Sequence, residues 1–312
     1  MKLDGIHHIT AITEDGQRNV DFYAGVVGLR LVKKTVNQDN PSVYHLFYAD
    51  ENGDPGSDLT FFEYPGVARG RAGDGMIHRI VWRVASTEAL DFWAERLKER
   101  GTAGERVADR DALRFSDPEG LEHELVVSSV DDAPLIAEHP EVPAELALQG
   151  FDGARAYSSD PGRSRALLDE ALGFAGRDAR LWEVRGDRRG GLYAYDEPPT
   201  EPGVQGAGTV HHIAWASTPE DHEAWRDRVT EAGERPTPVI DRFYFRSVYF
   251  REPSGVLFEI ATLGPGFTVD EPLESLGEKL SLPPFIEHLR DEIEPNLRPI
   301  VNPRHAAREA GR

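Results

Sequence analysis

One unit of sequence recurs four times along this chain, and this repetition limits the possible folds more than any other feature. Each copy has the pattern of a strand, a helix that ends near a glycine, and further strands. The second and fourth copies also end alike, because residues 115–125 align with residues 250–260. Self-similarity on this scale predicts an array of one supersecondary unit. The copies, called modules one to four, span residues 5–62, 76–127, 150–195 and 210–262.

The modules predict an α+β fold in which four βαβββ units form two open, barrel-like domains. In the tail, Ile286, Leu289 and Ile293 are spaced as on one short amphipathic helix, and residues 303–312 are predicted to be disordered. The predicted regions are an N-terminal half, residues 1–130; a Pro- and acid-rich linker, residues 131–149; a C-terminal half, residues 150–263; and a tail, residues 264–312.

Composition excludes several classes of function. The formal net charge of -20 disfavours binding to nucleic acid or to anionic membranes. We interpret the acidic excess as a solvated surface, with a salt-adapted source as the alternative. The sequence has no apolar run of about 18 residues and no charged-then-apolar leader, so we expect a cytoplasmic protein. Because cysteine is absent, histidine and carboxylate remain as metal ligands.

Two strands each carry a pair of adjacent histidines, His7-His8 in module one and His211-His212 in module four. Successive side chains of a strand face opposite sides, so one histidine of each pair shares a face with small neighbours such as Ala214. Glu259 lies in an apolar run, where an unpaired carboxylate is costly. It therefore requires a cation, an arginine or a metal as its partner.

Alignment of the modules indicates where a metal could bind. When modules two and four are aligned on their shared tryptophan, Arg79 matches His212 and Glu124 matches Glu259. Arg79 and Glu124 can therefore form an ion pair in module two, and module three has Gly153 at the ligand position. The match of Arg79 to His212 also selects the second histidine of each pair as the ligand.

Modules one and four together supply a complete ligand set of His8, His212 and Glu259. Two histidines and one carboxylate with open positions match the facial triad of non-haem Fe(II) oxygen chemistry. For these residues to meet, modules one and four must build one barrel and modules two and three the other. A lone strand histidine is more often a wall residue than a ligand, but the recurrence of the pair favours a metal. His7 and His211 are expected to support the ligands or to line the wall.

At these residues the chain resembles the vicinal oxygen chelate superfamily, and more closely its ring-cleaving dioxygenases that act on hydroquinones. The resemblance implies the vicinal oxygen chelate fold and Fe(II), or Mn(II), held by the three ligands. It also implies that Tyr249 and Arg242 lie beside the metal. The alternatives are a core tyrosine for Tyr249 and, for Arg242, an ion pair with Asp241 or a surface carboxylate. The matching segments are GIHHIT at 5–10, YHLFYAD at 44–50, VHH at 210–212, GVLFE at 255–259 and SLGEKL at 275–280.

The activity implied is that of an extradiol-type dioxygenase that inserts O2 into a hydroquinone- or catechol-like aromatic diol. The expected partners are the diol and O2, and a homodimer is expected. His211 and Tyr249 would move protons, with His7 as a further catalytic candidate. The candidate pocket walls are Phe243, Tyr244, Phe245 and Phe267.

Two other functions fit this scaffold. A glyoxalase-like isomerase or lyase would use a fourth protein ligand, for which Glu63 is the candidate in module one. If Thr60 takes the place of Glu259 in that module, Glu63 faces the opposite side, which disfavours this function. The second is a metal-free protein that sequesters a drug or toxin, and the complete ligand set argues against it.

Overall fold

The computed structural model describes residues 1–304, in which each module contributes four strands. Module one contains β1 (Ile6–Thr13), β2 (Arg30–Asn37), β3 (Asn40–Ala49) and β4 (Asp58–Glu63). Module two contains β5 (Ile77–Val84), β6 (Gly104–Arg106), β7 (Ala112–Ser116) and β8 (Glu122–Val127). Module three contains β9 (Phe151–Tyr157), β10 (Ala175–Gly176), β11 (Leu181–Arg185) and β12 (Gly190–Asp196). Module four contains β13 (Val210–Ser217), β14 (Ile240–Asp241), β15 (Arg246–Arg251) and β16 (Leu257–Thr262).

Each of two eight-stranded sheets joins one module of the N-terminal half to one of the C-terminal half. The first sheet has the order β14-β15-β16-β13-β1-β4-β3-β2, and the second has the order β10-β11-β12-β9-β5-β8-β7-β6. The central contact is antiparallel in both, between β1 and β13 in the first and between β5 and β9 in the second. The predicted α+β class with two barrel-like units is confirmed, and the first sheet combines modules one and four.

Within residues 1–304, no helix is long and apolar enough to cross a membrane. Modules one, two and four contain α1 (Gly16–Val20), α2 (Thr87–Glu99) and α3 (His222–Glu231), and the tail contains α4 (Arg290–Ile293). Two π-helical segments are Asp21–Val26, which continues α1, and Leu167–Ala171. The 3-10 turns are Ala144–Leu146, Pro161–Ser164, Phe267–Val269, Leu273–Ser275, Glu287–Leu289 and Glu294–Asn296.

The helix predicted around residues 166–172 is a π-helical turn. The backbone N–H of Leu172 donates to the carbonyl of Leu167 at 2.9 Å, five residues back, and module one closes in the same way from Val27 to Phe22 at 2.8 Å. An apolar spacing of three and four residues does not distinguish a wide turn from an α-helical one.

A glycine ends the helical segment of every module. Its φ is positive in all four, between 71° and 93°, which is the left-handed conformation that only glycine adopts without strain. Residues with a Cβ would be strained at this place, so the glycines mark the repeat in the structure as they do in the sequence. They are Gly28, Gly101, Gly173 and Gly233.

The tail differs from the sequence-based expectation at its end. Arg304, within the segment predicted to be disordered, is 8% exposed and its guanidinium lies 2.7 Å from a Glu51 carboxylate oxygen. The prediction is therefore wrong for Arg304, and residues 305–312 lie outside the described residues. In place of the predicted amphipathic helix, the 3-10 turn Glu287–Leu289 leads into the single turn of α4, and Ile286 before them and Ile293 at the end of α4 are buried.

The larger of the two hydrophobic clusters in the described part of the chain draws residues from both sheets, and a buried polar cluster forms around His123. The indole N–H of Trp82 donates to Nδ1 of His123 at 3.1 Å. The hydroxyl of Tyr23 donates to Asp117 at 2.9 Å, and therefore accepts from Nε2–H of His123 at 3.0 Å. Both ring nitrogens are thus hydrogen-bonded in the neutral imidazole, and burial lowers the pKa of His123 to about 3.

His123→Gln is expected to flatten the dependence of stability on pH. Between the ordinary pKa of 6.5 and about 3, the unfolded chain binds a proton at His123 that the folded protein does not. The stability that depends on a neutral His123 is therefore fully present above pH 6.5, and it is lost as the pH falls toward 3. Urea unfolding between about pH 6 and pH 4 should show a slope smaller by up to ~1.4 kcal/mol per pH unit in the variant. The exposed His288→Gln should keep the wild-type slope, and equal slopes in all three proteins would contradict the assignment.

Candidate metal centre

Three side chains from three adjacent strands converge in the first sheet. His8 on β1 pairs with Ala214 on β13, and Ala214 pairs with Glu259 on β16, so the side chains project to one face. Nε2 of His8 lies 3.2 Å from Nε2 of His212. The Glu259 carboxylate oxygen Oε2 lies 3.2 Å and 3.0 Å from these two nitrogens. All three residues are at most 4% exposed.

Each histidine pair sits at a β-bulge, where one strand has an extra residue. His7 is the extra residue between Ile6 and His8 on β1, and His211 is the extra residue on β13. Nδ1 of His7 therefore lies 2.9 Å from Nδ1 of His8, and Nδ1 of His211 lies 2.8 Å from Nδ1 of His212. Strict strand alternation, which places the two rings of a pair on opposite faces, does not hold here.

The first histidine of each pair fixes the ring of the second. A carbonyl only accepts, so Nε2–H of His7 donates to the Thr262 carbonyl at 3.1 Å. Nδ1 of His7 is then an acceptor for Nδ1–H of His8, and Nε2 of His8 keeps its lone pair. Burial lowers the pKa of His7 to about 3, so it acts as a neutral partner. Such a partner is typical of metal-binding histidines.

The charges around the carboxylate also favour a cation. Burial opposes ionisation of Glu259, but His8 and His212 outweigh it and hold the pKa of this carboxyl well below its usual value. Burial likewise opposes a charge on His8, and Glu259 outweighs it and raises the pKa of His8. The carboxylate and the two imidazoles thus form a buried site whose negative charge favours a cation.

A divalent metal fits these residues. Within residues 1–304, one cluster of three histidine, cysteine or acidic side chains has its ligand atoms within 4.8 Å of one another, and it is His8, His212 and Glu259. Neither carboxylate oxygen of Glu259 has a conventional hydrogen-bond partner, although the residue is fully buried. Two imidazoles and a carboxylate are a common ligand set for divalent transition metals.

Tyr249 and Arg242 lie beside the cluster. Tyr249 on β15 pairs with Glu259, and its ring centroid is 5.7 Å from that of His212. Burial raises the pKa of Tyr249 above its usual value, so its hydroxyl keeps its proton. The Arg242 guanidinium carbon is 5.6 Å from the centre of the Tyr249 ring and pairs with Asp39 at 2.9 and 3.1 Å.

Of the two ion pairs considered for Arg242, the one with a surface carboxylate is present, and that carboxylate belongs to Asp39. Asp241, the other candidate, has a different hydrogen-bond partner. The Asp241 carboxylate accepts from the backbone N–H of Phe243 at 2.8 Å. Phe243 has a positive φ of 70°, which is rare for a residue with a Cβ and turns the chain between Arg242 and Tyr244. The Arg242–Asp39 pair thus connects this turn to the β2–β3 hairpin.

A pocket leads to two of the three candidate ligands, His8 and His212. Two of the predicted wall residues, Tyr244 and Phe245, line it. Phe267 lies behind the wall with its ring 5.2 Å from that of Phe47, and Phe243 contacts Tyr244 without lining the pocket. The residues that line the pocket are His8, Thr35, Asn37, Gln38, Asp39, His45, Phe47, Phe62, His212, Arg242, Tyr244, Phe245 and Tyr249.

Sequence reasoning assigned no role to Thr35 or His45, although both line this pocket. His45 lies in one of the segments that carry the resemblance, and it shares a face of β3 with Phe47. That alternation could have identified it. Thr35 carries no signal of its own, since its position opposite His45 depends on the register between β2 and β3.

The equivalent places in modules one and two hold no further ligand. Thr10 pairs with Thr60 as Ala214 pairs with Glu259, so Thr60 takes the place of the carboxylate in module one. Glu63 instead accepts from the backbone N–H of Gly16 at 2.8 Å.

In module two, Arg79 lies 3.4 Å from the Glu124 carboxylate, which also pairs with Arg110 at 2.6 Å and Arg114 at 2.8 Å. Glu124, the counterpart of Glu259, is thus surrounded by guanidinium groups.

Comparison with known proteins adds to this geometry. The sequence model of the Glyoxalase/Bleomycin resistance protein/Dioxygenase superfamily matches residues 5–125 and 150–260. "Putative ring-cleaving dioxygenase MhqA" of Bacillus subtilis (strain 168) is 40% identical in an alignment that covers 96% of this chain and 100% of that protein. The chlorohydroquinone/hydroquinone 1,2-dioxygenase of Sphingobium indicum is 32% identical over 94% of this chain and 95% of its own length.

Solved structures show the same architecture. A crystal structure described as a "putative dioxygenase from Bacillus subtilis" superposes with a TM-score of 0.90 at 40% identity, over 96% of this chain and 98% of the other. Glyoxalase I from Zea mays superposes with a TM-score of 0.58 at 16% identity, over 83% of this chain and 92% of the other. The second likeness concerns the fold alone.

Proposed function

Because the chain belongs to the glyoxalase/bleomycin resistance protein/dioxygenase superfamily, we propose that it is a metal-dependent, ring-cleaving dioxygenase of the extradiol type. Its substrates are O2 and a hydroquinone- or catechol-like aromatic diol, as the names of its relatives indicate. The observation that carries the proposal is the buried set of His8, His212 and Glu259 at the end of an aromatic-lined pocket. The predicted homodimer and cytoplasmic location stay predictions.

The metal in this proposal is Fe(II), with Mn(II) as the alternative. When bound, such a metal acidifies a coordinated phenol and exchanges electrons with O2. His8, His212 and Glu259 would hold it through two nitrogens and one carboxylate, which leaves positions open for both substrates. His7 and His211 keep the two ligand rings in the tautomer that presents Nε2.

The remaining polar groups of the pocket can serve the oxygen chemistry. The Tyr249 ring lies next to His212 on the pocket wall and its hydroxyl keeps its proton, so it can donate to an oxygen atom that gains charge. The Arg242 guanidinium supplies a fixed positive charge, because Asp39 and the Tyr249 ring hold it in place. His211 is exposed and hydrogen-bonded to His212, so it can pass a proton between that ring and solvent.

The two rival functions are less well supported. An isomerase with a fourth protein ligand would require a donor at the place of Thr60, whose hydroxyl instead donates to Thr10 at 2.9 Å. A metal-free binding protein would gain nothing from Glu259, whose burial without a cation is costly.

Oxygen uptake tests the proposal directly. Protein loaded anaerobically with Fe(II) or Mn(II) is expected to consume O2 when hydroquinone or catechol is added, and His212→Ala is expected to consume none. The reason is that the substrate and O2 must share one metal, whose ligand set loses an imidazole in the variant. The exposed His288→Ala serves as the matched control and should retain full uptake. Fully metal-loaded protein that consumes no O2 with either diol would contradict ring cleavage.

A further inference from the structure

Two polar atoms without a protein partner lie on the pocket wall away from the ligands. His45 on β3 and Thr35 on β2 are directly paired across the two strands, so both side chains face the pocket. In the sheet, β4 and then β3 follow β1, which carries His8. Two interstrand spacings of about 4.8 Å separate β3 from β1, and the register sets His45 level with Ile12, four residues beyond His8, so His8 and His45 line different ends of the pocket. This separation is suited to a substrate with polar groups at two ends.

The hydrogen bonds of His45 leave one of its nitrogens free as an acceptor. The Thr60 hydroxyl donates to Oγ1 of Thr10 at 2.9 Å, so its contact of 2.8 Å with Nε2 of His45 requires that the histidine donate. Nδ1 of His45 then has a lone pair and no bond within the described protein. Burial lowers the pKa of His45 well below its usual value, so the ring stays neutral.

Aromatic neighbours hold this ring in place. Its centroid is 4.0 Å from that of Phe47 and 4.3 Å from that of Phe62. Together with the bond to Thr60, these contacts fix the direction in which Nδ1 points.

Thr35 adds a hydroxyl that also lacks a partner. The residue is 1% exposed, and its Oγ1 makes no hydrogen bond within residues 1–304. A buried hydroxyl without a partner costs free energy, so a ligand atom at this place would relieve that cost.

The other polar side chains near the pocket mouth are already engaged. Asn37 donates to the Tyr64 hydroxyl at 3.0 Å, and Gln38 donates to the Arg242 carbonyl at 2.8 Å. Asp39 binds Arg242. His45 and Thr35 therefore differ from these residues in having an acceptor and a hydroxyl free for a ligand.

We propose that His45 and Thr35 form a binding subsite for the second hydroxyl group of the aromatic diol. The substrate O–H would donate to Nδ1 of His45, and its oxygen would accept from the Thr35 hydroxyl. A ring with hydroxyls at opposite ends, as in hydroquinone, reaches the metal and this subsite together. A catechol presents both hydroxyls at one end and leaves the subsite empty. The subsite thus selects the para-diol, and the inference depends on the proposed dioxygenase function.

Anaerobic binding measures the contribution of the second hydroxyl without turnover. The probes are hydroquinone, phenol, which lacks that hydroxyl, and catechol, each titrated into Fe(II)-loaded protein. Wild-type protein is expected to bind hydroquinone about tenfold more tightly than phenol, as two hydrogen bonds would provide. In Thr35→Val and in His45→Phe this preference should fall to less than threefold, with the Kd values for phenol and catechol unchanged.

Controls distinguish a failure of the subsite proposal from a failure of the proposed dioxygenase function. Thr230→Val, the same substitution on an exposed face of α3, should keep the wild-type preference, and metal content should stay equal in all variants. If metal-loaded wild-type protein neither binds nor cleaves any diol, the proposed function fails. If it cleaves diols but hydroquinone and phenol bind equally, or if Thr35→Val retains the tenfold preference, the subsite is wrong. Thr35→Val also provides the test should His45→Phe fold poorly.

Discussion

Glu259→Gln is expected to reduce the affinity of the protein for Fe(II) at least ~100-fold and to abolish O2 uptake with diols. Changes to residues that only support metal ligands already cost 10- to 100-fold, and this change removes a ligand together with its negative charge. Gln keeps the volume of the side chain, so packing in the first sheet is preserved. Metal content after equilibrium dialysis measures the affinity, and the unfolding midpoint should rise with added metal in wild-type protein but not in Glu259→Gln.

The second sheet provides a matched control for this variant. Glu124 occupies in module two the place that Glu259 occupies in module four, and it is equally buried at 1% against 0% exposure. Its partners are arginines, so Glu124→Gln should leave metal content and O2 uptake unchanged. Full metal content in Glu259→Gln, or its loss in Glu124→Gln, would overturn the assignment of the site.

The repeat made much of this architecture predictable from the sequence. Aligning the modules reduced eleven histidines to His8 and His212, because the equivalent places hold Arg79 and Gly153. A carboxylate in an apolar strand, Glu259, supplied the third member. These are local or internally repeated signals, which a single sequence contains.

What could not be predicted depends on contacts between distant parts of the chain. The bulges that bring His7 and His211 against the neighbouring rings arise where β1 meets β13, some 200 residues apart in sequence. The pairing of Arg242 with Asp39 joins two loops, and the free hydroxyl of Thr35 depends on its neighbours in the fold. Periodicity determines which face a residue takes in a regular strand, but not where regularity ends.

The contact between the tail and the first sheet is another example. Lys33 on β2 is 0% exposed, and its ammonium donates to Asp270 at 2.7 Å, to Glu271, and to the carbonyl of Phe267 at 3.2 Å. Asp270 also accepts from the hydroxyl of Tyr244, a wall residue of the pocket, at 3.0 Å. The buried ammonium of Lys33 thus holds the tail against the sheet. Through Asp270, the same cluster also holds Tyr244 of the pocket wall against the tail.

Lys33→Met is expected to destabilise the protein by about 3 kcal/mol, because it leaves the buried Glu271 carboxylate, and Asp270 beside it, without their cation. Loss of the cluster should also loosen Tyr244 and weaken diol binding. Urea unfolding measures the first effect and anaerobic titration the second. Lys33→Met combined with Asp270→Asn and Glu271→Gln removes the unpaired charges, so it should recover part of the lost stability.

Lys34→Met is the matched control, since this neighbouring lysine is only half-buried and its ammonium reaches a backbone carbonyl, that of Glu278, at 3.4 Å. A solvated contact of this kind contributes less than ~1 kcal/mol, so the control should unfold near the wild-type midpoint. If Lys33→Met costs no more than Lys34→Met, the cost of burying the Lys33 charge equals its attraction to the two carboxylates. In that case apolar packing and the other hydrogen bonds between tail and sheet, such as that from the Ser281 N–H to the Lys34 carbonyl at 2.9 Å, hold the tail in place.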